Sequence, residues 1–178
     1  MILTSSNPLL QKIRFEPIST GYFRGAYAVQ AQLGITPSTP EQLVELIFHV
    51  IRTSGMEKIR RKLFRLTVEG TPSQEVQYSA EALCASLVEY GYQIQIVFNG
   101  VDYFRALRGA NWVVAKSSSI EIPFGGNEIW YFPPEDKPLV DVVAPIKETT
   151  LMYLAPKGLS EGELLEFLAR SHYTWNML

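Results

Sequence analysis

The hydrophobic period of the chain changes near Gly91, and that change constrains the fold more than any other feature of the 178 residues. Before Gly91 apolar residues recur at helical spacing; after it they alternate with polar ones. Thr39-Pro40-Glu41-Gln42 has the form of a capping box with proline at the first helical position. Leu43, Leu46, Ile47, Val50 and Ile51 then share one face, and Gly55 supplies a stop. Thr71-Pro72-Ser73-Gln74 repeats the start, and Val76, Ala80, Leu83, Leu87 and Tyr90 continue it to Gly91. The spacing predicts helices over 40–54, 56–66 and 72–90, with a further one, interrupted by Gly21 and Gly25, over 21–33.

Beyond Gly91, Tyr92 to Phe98 alternates and Asn99-Gly100 is a two-residue hairpin signal. It would pair Phe98 with Val101, Ile96 with Tyr103 and Ile94 with Arg105. Further strands are predicted at 112–116, 119–122, 128–132, 139–143 and 149–154, separated by Ser, Gly-Gly-Asn and Pro-rich breaks. Connections this short call for antiparallel pairing, because a parallel crossover ordinarily takes a dozen residues or more. Ser160-Glu161-Gly162-Glu163 opens a last amphipathic helix. The expectation is an α+β fold: a helical N-terminal half packed on one face of an antiparallel, meander-like sheet of five to six strands, with a C-terminal helix. It is read as a single domain over 1–178, helix-rich over 20–91 and strand-rich over 92–155, with a helix over 160–171 and an apolar tail.

Composition excludes several classes. Hydrophobic residues make up 47% and charged residues 19%, which is not the balance of a disordered chain. Cys84 is the single cysteine, so neither an intrachain disulfide nor a cysteine-based zinc site can form. No run of ~18 apolar residues is present, and Met1-Ile2-Leu3-Thr4-Ser5 lacks the pattern of a secretory signal. The expected location is cytoplasmic, or within an intracellularly assembled particle.

Charge is unevenly distributed. The net charge is -2, yet five of the sixteen Lys/Arg residues fall within the eight positions 58–65. On a helix Lys58, Arg61, Lys62 and Arg65 would share one face, with Ile59 and Leu63 on a neighbouring apolar one. Clustered cations suit a polyanion or an acidic protein surface. The same pattern also describes a solvated helix face, with Glu57 and Arg61 as an ordinary i, i+4 pair.

No catalytic set stands out. Asp102 and Glu121, with Lys116 nearby, come closest to a divalent-metal nuclease arrangement, but Pro123 stands where the lysine of a Glu-x-Lys motif belongs. His49 and His172 are the only histidines, which argues against a His-based metal or acid–base site. Cys84 lies on the apolar stripe and reads as a core residue. Two aromatic segments suit contacts with a partner: Trp130 and Phe132 ahead of a Pro-rich loop, and Tyr173 and Trp175 in the tail, which either docks on its own core or packs against a neighbouring subunit.

The leading expectation is a non-enzymatic assembly or interaction protein acting in a homo-oligomer or larger complex. One concrete version is a virus or phage particle component such as a tail, neck or connector. The first alternative is a divalent-metal nuclease or other phosphate-handling enzyme. The second is a small nucleic-acid-binding regulator using the basic helix. No cofactor and no membrane partner is expected.

Overall fold

The computed structural model describes residues 2–3, 9–54, 62–99, 105–122, 126–144, 147–156 and 158–178. One mixed sheet runs through it in strict chain order: β1 (Ile2–Leu3), β2 (Leu10–Pro17), β3 (Tyr27–Leu33), β4 (Leu63–Glu69), β5 (Gln93–Asn99), β6 (Trp112–Ser117), β7 (Glu128–Tyr131), β8 (Leu151–Leu154) and β9 (Trp175–Met177). β1, β2 and β3 pair antiparallel; every later neighbour pairs parallel. Helices α1 (Pro40–Thr53), α2 (Gln74–Glu89) and α3 (Glu161–Arg170) lie in the crossovers. The class is α+β, but the antiparallel meander with a helical first half is overturned.

Three helices sit close to their predicted places. α1 buries Leu43, Val44, Ile47 and Val50. Thr39 is extended at its start but makes no side-chain cap, so the expected box is absent there. α2 buries Val76, Ala80, Leu83, Cys84 and Leu87, and its cap is Ser73, whose side chain accepts from Val76 N. At α3 the box is complete: Ser160 accepts from Glu163 N while the Glu163 carboxylate accepts from Ser160 N.

The other two helix predictions fail, the one over 56–66 because a two-residue period was masked by a helical charge pattern. The stretch over 56–66 was expected to be helical; residues 63–69 form β4, and 55–61 lie outside the described residues. Phe64, Leu66 and Val68 alternate onto the buried face, and the aromatic and β-branched residues of this segment favour a strand. The stretch over 21–33 divides into a tight turn and β3, with Ile18 N donating to Ala26 O and Gly25 N to Ile18 O, both at 2.8 Å.

The hairpin expected at Asn99-Gly100 falls on residues 100–104, outside the described residues, and both described neighbours of β5 are other strands. Ile96 pairs with Leu66 on one side and Val113 on the other, both parallel. Between β5 and β6 a 3-10 turn at Arg105–Gly109 sends Ala106 into the core beside α2. Of the predicted strands at 119–122 and 139–143, a single parallel bridge remains, Glu121 to Val143. The β6–β7 crossover spans only residues 118–127, and no helix stands among its described residues.

Sequential parallel order fixes the layering. Crossovers of one hand between consecutive neighbours all fall on the same face of a sheet. Phe98, packed with the α1 and α2 residues, pairs with Ala115, which packs with Ile122, Val142 and Phe167. The first and second apolar clusters are therefore neighbours on one face, beneath the helices and the two crossover loops.

The tail docks on its own chain. Trp175 pairs with Met152 across β8–β9 and packs against Tyr131 and Phe167. Asp141 holds the approach to β9 by accepting from Ser171 Oγ and, at 2.9 Å, from His172 N.

Candidate binding face

The face opposite the helices carries the alternate residues of each strand. Arg14, Gln30, Arg65, Gln95 and Trp112 stand in register across β2 to β6. The next row runs Gln32, Thr67, Val97, Val114 and Glu128. Towards the strand C-termini, Lys116, Trp130, Tyr153 and Asn176 form a third. Guanidinium and amide groups thus occupy the β2–β5 half. Aromatic and aliphatic groups occupy the other, where Val97, Val114 and Trp130 pack with Trp112, Phe132, Tyr153 and Leu178.

The turn after β2 folds over the middle of this face. Thr20 O accepts from Arg65 Nη2 at 3.3 Å, and Tyr22 stacks on Trp112 with centroids 4.6 Å apart. Tyr22 N donates to Glu128 Oε1 at 2.7 Å, Trp112 Nε1 to the same oxygen at 3.1 Å, and Trp130 Nε1 to Oε2 at 2.7 Å. Gly21 makes the approach possible: at φ +83 it tolerates the left-handed region, and a Cβ there would stand 2.7 Å from Glu128 Oε2.

Burial pushes the Glu128 carboxyl above its ordinary value, while the three N–H donors and the Arg65 charge pull the other way. Burial lowers Arg65 to about 10, opposed by Glu128, so it stays cationic at neutral pH. Arg65 Nε donates to Gln95 Oε1 at 2.6 Å, and the guanidinium lies 5.4 Å from the Trp130 ring centre. A carboxylate already accepting from three donors is an anchor for the turn.

Beside this anchor the face opens into a cleft of about 320 Å³ lined by Lys12, Arg14, Gln30, Gln32, Thr67 and Glu69. A bulge in β2 builds one wall: the register shifts between Gln11 and Arg14, and Lys12 adopts φ +52. At the far end Glu69 accepts from Asn99 Nδ2 at 2.7 Å and faces Lys116 Nζ at 3.6 Å.

The expected basic face is not assembled as a helix. Lys58 and Arg61 lie outside the described residues; Lys62 is exposed, with Nζ donating to Tyr90 O at 3.1 Å. Arg65 is buried on the sheet and Leu63 is buried as expected. Of the expected interface residues, Trp130 and Phe132 come together on the uncovered face, whereas Tyr173 and Trp175 pack into the second core cluster. Asp102 lies outside the described residues, and Glu121 is exposed at its isolated bridge. Among the described residues no group of three His, Cys, Asp or Glu side chains could hold a metal. No helix among them is long and apolar enough to cross a membrane.

Sequence reading missed Lys12, Gln95 and the role of Glu128. The available signal was the polar alternation of Arg65, Thr67 and Glu69 within an otherwise apolar segment. In comparisons with known proteins the chain matches no family model, no curated protein and no solved structure.

Proposed function

We propose that this chain is a non-enzymatic assembly protein, a subunit of a homo-oligomer whose copies meet on the uncovered aromatic half of the sheet. The observation that carries the reading is the one-sided cover of a mostly parallel sheet. Parallel sheets are found almost only with both faces covered. Here all three helices serve one face, and among the described residues only the turn over 18–26 crosses the other, reaching Arg65, Trp112 and Glu128. Phe132, Tyr153 and Leu178 stay half-exposed beside the buried Trp130. A second copy laid on this half would complete the missing layer with apolar and aromatic contact, which is the composition of interface cores. The three N–H donors on Glu128 favour its role as an anchor for the turn.

Size-exclusion chromatography with light scattering on the parent and on Tyr153→Glu tests this. The parent is expected as an oligomer, and the variant, which forces a carboxylate into the contact, as a folded monomer. A parent that stays monomeric at high concentration contradicts the reading.

A further inference from the structure

The polar half of the same face carries an inference that does not depend on assembly. We propose that the cleft between β2, β3 and β4 is a binding site for a small oxyanion, the phosphate or carboxylate of a small molecule.

Three observations support it. The first is charge. Lys12 is exposed and has no acidic partner among the described residues. Arg14, two positions on across the β2 bulge, brings a second cation to the same cleft. The two carboxylates close by are already engaged: Glu16 with Arg14 at 2.6 Å, and Glu69 with Asn99 and Lys116.

The second is the donor set. Arg14 Nε stands 2.6 Å from Glu16 Oε1, and Arg14 lines the cleft together with Gln30. Thr67 and Gln32, in register on β4 and β3, add a hydroxyl and an amide to the same cleft.

The third is backbone strain. Lys12 is the only non-glycine residue at positive φ among the described residues, at +52. An L-residue with a long side chain costs free energy there, and a bulge is a usual means of re-aiming a side chain beside a site. The volume, about 320 Å³, lies at the small end of ligand pockets.

Strain also supplies the test, because Lys12→Gly removes the cation while relaxing the backbone. Calorimetric titration of the full chain at low ionic strength, with inorganic phosphate and separately with malonate, reads binding directly. Saturable one-to-one binding of either anion is expected, and which of the two binds identifies the class. Lys12→Gly should weaken it at least tenfold with an unchanged or higher melting temperature. Arg170→Ala, which removes an exposed cation on α3, should leave it unaltered. No saturable binding of either anion at millimolar concentration, or an equal loss in the Lys12 and Arg170 variants, overturns the proposal.

Discussion

Glu128 is the residue on which the turn, the sheet and two tryptophans converge, and its environment carries a pH signature. Its carboxyl titrates above the ordinary 4.5 because burial outweighs the three N–H donors and Arg65. The folded state therefore holds this proton over a range in which the unfolded state has already lost it. Stability contributed by the protonated form is full below pH 4.5 and is lost as pH rises through the folded value. Glu128→Gln is a fixed mimic of the protonated carboxyl and should lack that loss. Relative to the parent, its melting midpoint is expected to climb as pH is raised across the window. A difference between the two proteins that stays constant with pH contradicts the account. Using the difference matters, because Glu163, held below its ordinary value by its hydrogen bonds to Ser160, acts in the opposite sense in acid.

Among elements, β9 shows most clearly why part of the fold was hidden in the sequence. The aromatic tail left two outcomes open, and nothing local distinguishes them. What decides the matter is distant: Tyr131, Phe167 and Met152 offer Trp175 a slot, and Ser171 Oγ accepts from its indole N–H at 2.8 Å. Truncating a large buried aromatic costs roughly 3–5 kcal/mol. Trp175→Ala should accordingly lower the unfolding midpoint in a denaturant titration by an amount worth about 3 kcal/mol. An unchanged midpoint would mean the tail is not docked. α1, α2 and α3 were legible because their apolar stripes and terminal signals are local. β4 was not, because its cations happen to satisfy a helical spacing while Phe64, Leu66 and Val68 alternate underneath. β2 and β3 were missed because their pairing partners, not their own periods, mark them as strands.

At the scale of the whole molecule, strand order decides what the protein can do. A doubly wound sheet reverses its order and so places helices on both faces. This one never reverses from β3 to β9, so its crossovers share a face, and among the described residues the other is left to the turn over 18–26. The same winding closes into a barrel when the first and last strands meet, and the uncovered face then becomes a packed interior. Here the sheet ends at β1 and β9, and the interior-like half bearing Trp130, Phe132 and Tyr153 has no partner within the described chain. The short loop crossovers that make this possible, such as 118–127, were invisible to a rule that reads brief connections as antiparallel. Where two copies supply each other's missing layer, a probe at the rim of that half reports it. Asn176 is exposed on β9 beside Tyr153, and Cys84 is buried with its thiol pushed up to about 12, so it does not compete for a label. Pulsed dipolar spectroscopy on spin-labelled Asn176→Cys, with Val88→Cys on the outer side of α2 as the reference, is the most direct test. The account predicts a defined, short intersubunit distance at 176 and a longer one at 88; an unmodulated decay at 176 would contradict it.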